Sequence, residues 1–140
     1  MNHKALGSFW GKWDLHFHTP SSYDYKNGTV TNDQIVAVLI QNDIQVVAIT
    51  DHHFIDTQRI KDLKKIAGDR LAILPGIEFR SDLGGRESVH FIGIFPEGID
   101  IDDLWTKLSG QLGITPRDIK ALTSLDIALS PPAFTAVTTK

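Results

Sequence analysis

Residues 44–50 read Ile-Gln-Val-Val-Ala-Ile-Thr, an almost unbroken apolar run rich in β-branched side chains. A run of this length and type predicts a strand buried on both faces, as in a parallel sheet covered by helices. The flanking segments agree. Residues 13–18 read as a first strand ending in polar residues. Pro20, Ser21, Ser22, Asn27 and Gly28 mark a loop. Thr31 and Gln34 have the spacing of a capping box and predict a helix that starts at Thr31, buries Ile35, Val38 and Leu39, and stops near Asn42. A second helix is expected over 56–67, with Ile60, Leu63 and Ile66 inward and Gly68 as its stop. Residues 70–75 predict a third buried strand leading into Gly76-Ile77-Glu78-Phe79, where the glycine lets the backbone turn closely at the strand end. Leu83-Gly84-Gly85-Arg86 reads as a turn, residues 87–95 as a fourth strand able to pair back on 78–80, and residues 102–112 as a third helix. The alternation of strand and helix predicts βαβ units and parallel strands.

The polar residues fall at the ends of these strands. His16 and His18 close the first, Asp51, His52 and His53 the second, and Glu78 the third, while His90 lies near the start of the fourth. In a parallel α/β sheet the carboxyl ends share one rim, and that rim holds the site. Two residues apart on a strand, His16 and His18 project to one side. Glu78 has two oxygens and can bridge two cations. Asp51, beside His52, is placed to accept the other N–H of an imidazole and orient it. Taken singly, His90 also reads as a hydrogen-bonded structural histidine and His53 as a loop residue; His3 reads as solvated. Together, five of the six histidines gather on one rim, and the coincidence points to a metal centre. The chain has no cysteine, so any metal is held by nitrogen and oxygen, and disulfides and thiolate chemistry are excluded. A formal net charge of -3 gives no basic surface for nucleic acid. No apolar run is long enough to span a bilayer, and nothing resembles a signal peptide, so the expected location is cytoplasmic.

The strings DLHFHT (14–19), AITDHH (48–53), PGIEF (75–79) and VHFIGIF (89–95) resemble the successive N-terminal motifs of the PHP (polymerase and histidinol phosphatase) superfamily. That family includes histidinol and nucleotide phosphatases and the PHP domains of bacterial polymerases. The lead-in KWDLHFHTPSS is also similar to a PHP module that precedes an AAA-type ATPase. The resemblance spans residues 12–96. It implies a distorted (β/α)7 barrel with two or three divalent metals. His16 and His18 match the first-motif ligands, His52 the second, Glu78 the bridging carboxylate, and His90 the histidine after the third motif. The first motif of the family continues to Ser and then Asp or His; here Tyr23 follows Ser22, and Asp24 comes one residue late as the substitute ligand. His53 is a further candidate ligand.

The family's later histidine and closing Asp-x-His have no counterpart, since no histidine follows His90. Residues 97–140 supply too few strands to close seven. The expected architecture is therefore α/β, a truncated (β/α)7 barrel of parallel strands with flanking helices, divided into a lead-in (1–12), a metal-binding domain (13–114) and a weakly patterned tail (115–140). The expected activity is hydrolysis of a phosphate ester by metal-activated water, with Glu78 and Asp51 serving catalysis and Arg80 and Arg86 gripping phosphate. Mixed imidazole and carboxylate ligands suit Zn, Mn or Fe. The substrate is a small phosphate ester or a nucleic-acid end, and an ATPase domain or partner subunit is the expected associate. The missing late ligands predict poor turnover by these 140 residues alone. The alternative is a non-catalytic metal-binding or docking module of a larger protein.

Overall fold

The computed structural model describes residues 10–81 and 89–114. Three strands and two helices alternate: β1 (Lys12–Phe17), α1 (Asn32–Gln41), β2 (Ile44–Ile49), α2 (Thr57–Ala67) and β3 (Ala72–Ser81), followed by β4 (Val89–Ile94) and α3 (Ile101–Leu112). The sheet runs β1-β2-β3-β4 and is curled. The first three strands are parallel, as the βαβ pattern requires. β4 is antiparallel to β3, so the sheet is mixed rather than all parallel. The reason is local: a parallel neighbour needs a crossover of a dozen or more residues, whereas only 82–88 separate these two strands.

The helices begin and end where side-chain chemistry provides partners for their free backbone groups. Thr31 and Gln34 form the capping box. Asn42 closes α1, its side-chain amide donating to the Val38 carbonyl at 2.8 Å. Asp56 caps α2 through Arg59 N, so the helix proper starts one residue later than expected. Asp100 accepts from the amides of Asp102 (3.1 Å) and Asp103 (3.0 Å) at the start of α3. Asp100→Ala leaves two amide donors without this acceptor, and is expected to cost about 1 kcal/mol in urea denaturation. A loss no larger than that of a neighbouring surface substitution would show the cap to be idle.

Ile35, Val36 and Leu39 of α1 and Ile60 and Leu63 of α2 pack with Val47, Ile49, Ile73 and Ile77 in one core. Val38, expected inward, is exposed, and Val36 takes the buried position. Ile101, Leu108 and Leu112 bring α3 into the same core. Trp105 meets the Phe54 ring edge-on at 5.4 Å, tying α3 to the segment after β2.

β3 does not stop at Gly76. It runs on through Glu78 to Ser81, and the close turn expected at the glycine is absent. Gly76 answers a different need. A Cβ there would stand 2.9 Å from the Ile49 carbonyl oxygen on one side and 3.0 Å from that of Gly93 on the other. The strand is squeezed between two backbones, and only hydrogen fits. No helix among the described residues is long and apolar enough to cross a membrane.

Candidate metal centre

Glu78 stands at the middle of the rim. Its backbone is tied to the end of β2 from both sides, since Glu78 N donates to the Asp51 carbonyl at 3.1 Å and His53 N donates to the Glu78 carbonyl at 2.9 Å. The side chain is 1% exposed. His16 Nε2 and His18 Nε2 each lie 2.7 Å from its Oε2. His52 Nε2 stands 3.7 Å from the same oxygen. His90 Nδ1 hydrogen-bonds with the other oxygen, Oε1. His90 reaches the rim from the start of its strand because β4 runs against β3 and sets His90 opposite Arg80. The five residues expected to converge do so.

Asp24 joins them despite its shifted place in the motif. Its Oδ1 lies 3.5 Å from His18 Nδ1 and its Oδ2 lies 3.4 Å from His52 Nε2. Ser22 makes the shift workable: its hydroxyl donates to Asp24 Oδ1 at 2.6 Å and accepts from His52 N at 3.3 Å. Among the described residues, two groups therefore offer ligand atoms all within 4.8 Å of one another: His16, His18 and Glu78; and His18, Asp24 and His52. His18 belongs to both.

The donor geometry suits a cation. If His16 and His18 both donate Nε2–H to Glu78, the two nitrogens face each other as donors at 3.2 Å, a contact no hydrogen bond relieves. Nitrogens bound about 2.0–2.1 Å from one tetrahedral ion stand roughly 3.3 Å apart, close to that separation. Burial disfavours a charged Glu78, but hydrogen bonds from His16 and His90 and the neighbouring His52 outweigh it and hold the carboxyl below the usual range. Asp24 is also held low: burial raises it, and the Ser22 hydroxyl with His52 and His18 more than offsets that. Burial lowers His52, so its ring favours the neutral form that can bind metal.

Three expected residues behave differently. Asp51 does not orient His52. Neighbours on an extended chain point to opposite sides, and the Asp51 carboxylate turns to Thr19, accepting from its amide at 2.6 Å and its hydroxyl at 2.7 Å. Burial pushes Asp51 up to about 6, against the pull of those two bonds. His52 Nδ1 is buried without a hydrogen-bond partner. His53 is buried with φ 56, and its Nδ1 also lacks a partner. Burial and the neighbouring His52 push it down to about 4, and it enters neither ligand group. Arg80 lies two residues beyond Glu78 on the same strand, so it shares the Glu78 face. Arg86 lies outside the described residues.

Thr19, Ser22 and Tyr23 complete the surroundings; the motif reading passed over all three as register markers and gave none a part in the site. The Tyr23 ring lies 4.9 Å from that of His52. Their signal was their place in and just after the His-x-His motif. No family model matches the chain, and no curated protein matches it.

Proposed function

We propose that this chain is a metal-dependent phosphoesterase domain of the PHP type, hydrolysing a phosphate ester with the help of two divalent cations. One observation carries the reading: a buried carboxylate at the carboxyl ends of parallel strands, with His16, His18 and His52 around one oxygen and His90 on the other. Divalent cations bound there would supply Lewis acidity toward phosphoryl oxygens and make water nucleophilic at neutral pH. His16, His18 and Glu78 are the ligands for one. With His18 committed, Asp24 and His52 would hold the other, with Glu78 Oε2 3.7 Å from His52 at its border. Arg80, on the Glu78 face, is the candidate to orient the phosphoryl group. Asp51 acts at one remove, pinning Thr19 and thereby the chain leaving His18. Nitrogen and oxygen donors favour zinc, manganese or iron. Both small phosphate esters and nucleic-acid ends fit this chemistry, and an ATPase domain or partner subunit is the proposed associate.

A second reading, a metal-binding docking module without turnover, is favoured by the openness of the centre. The side chains of His16 and His90 are 50% and 44% exposed, and electrostatic catalysis weakens where water enters. Hydrolysis of p-nitrophenyl phosphate and its bis ester separates the two. The expected result is slow turnover that needs added Mn2+ or Zn2+ and stops with a chelator. Bound metal without turnover selects the docking module. Absence of bound metal removes both readings.

A further inference from the structure

Arg59 lies near the start of α2, on a helix that also carries Lys61, Lys64 and Lys65. By composition it belongs to a solvated basic face. Its side chain is instead 23% exposed and hydrogen-bonded through Nε and Nη1. Nε donates to Ser21 Oγ at 2.6 Å, and Nη1 donates to Asn32 Oδ1 at 2.6 Å. Ser21 Oγ in turn donates to Asp56 Oδ2 at 2.6 Å, and Asp56 Oδ1 accepts from Arg59 N at 2.9 Å. Ser21 lies near the start of the segment between β1 and α1, and Asn32 is the first residue of α1. One guanidinium therefore ties down both ends of that segment.

Past His18, which directly follows β1, the segment carries one further member of the centre. His16, His18, His52 and Glu78 sit on strands or just beyond them, where the sheet holds them. Asp24 does not. Its side chain is 42% exposed, and beyond His18 and His52 it is held by Ser22, a neighbour in the same segment whose hydroxyl also accepts from His52 N. Where Asp24 stands is decided by where the segment is fastened.

We infer that Arg59 is a positioning residue for the Asp24 side of the centre. Its fork fastens residues 19–31 so that Asp24 stays within reach of His18 and His52, while the His16–His18–Glu78 group is independent of it. The inference rests on the two-cation reading above.

The test is calorimetric titration of the whole chain with Zn2+, paired with amide hydrogen exchange, for wild type, Arg59→Ala and Arg59→Lys. Lysine keeps a charge beside Asp56 but has no planar fork to span Ser21 and Asn32. In both variants the first equivalent of Zn2+ should bind within about threefold of wild type, and the second should weaken about 10–100-fold, the usual cost of losing a ligand's supporting partner. Exchange within 19–31 should quicken about tenfold or more, with β2 and β3 unchanged. Unchanged exchange in 19–31 overturns the inference. So does equal weakening of both equivalents, which would mark general destabilisation. A wild-type chain that takes up a single equivalent removes the second cation itself, and with it this role for Arg59, however the segment exchanges.

Discussion

Glu78→Ala is expected to abolish measurable uptake of two Zn2+ ions, and to weaken whatever binding persists by more than about 100-fold. The bound follows from known costs: losing a partner that merely supports a ligand typically weakens metal binding by about 10–100-fold, and a lost ligand costs more. Glu78 Oε2 also lies 2.7 Å from both His16 and His18 and 3.7 Å from His52, so it borders both ligand groups, and Glu78 is the one carboxylate among the candidate ligands that is fully buried. Without it, His16, His18 and His90 lose their common acceptor. Glu78→Gln is the companion variant, since it keeps shape and removes charge. Elemental analysis after loading and calorimetry with Zn2+ give the readout. Uptake equal to wild type in both variants would sink the metal centre. Because protons compete for the same imidazole nitrogens, wild-type affinity should fall as the pH is lowered.

Gly76→Val is expected to cost about 3 kcal/mol, at the upper end for forcing extra atoms into a packed interior. Even the first carbon of the new side chain meets the Ile49 carbonyl oxygen at 2.9 Å, and that oxygen belongs to a central strand. Relief requires parting β3 from β2 or β4. Either movement carries Glu78, two residues on, away from its histidines. Urea denaturation should show the stability loss, and Zn2+ titration a weakened first equivalent in the fraction that stays folded. Gly28→Val is the control: its Cβ meets nothing within 4 Å. A Gly76 variant as stable as that control would mean the strands part without cost.

Much of this was readable in the residues. The β2 run, the Thr31–Gln34 capping box and the Gly68 stop are local signals, and each element formed where its signal lay. The candidate ligands on strands were readable for the same reason: alternation along an extended chain assigns a side. What escaped depends on neighbours distant in sequence. Gly76 looked like a strand end because the two carbonyls that crowd it belong to Ile49 and Gly93. Asp51 seemed destined for His52 by adjacency, but the Thr19 hydroxyl and amide compete for it from another strand's end. Asp24 sat one residue out of register, and Ser22 corrects the offset through a bond no motif encodes. The antiparallel course of β4, by contrast, was legible in the turn read at 83–86, around which the fourth strand pairs back on 78–80.

Glu78 meets His16 and His18 across 62 and 60 residues of chain. An unfolded chain scatters such partners, so a cation held among them binds the native state and has little to hold in the denatured one. At a free concentration a hundred times its dissociation constant, a ligand of that kind stabilises the native state by about 2.7 kcal/mol. Folding and metal supply then become a single equilibrium. A cation bound at this centre would make the heat resistance of the domain depend on the free cation concentration of its surroundings as well as on its core.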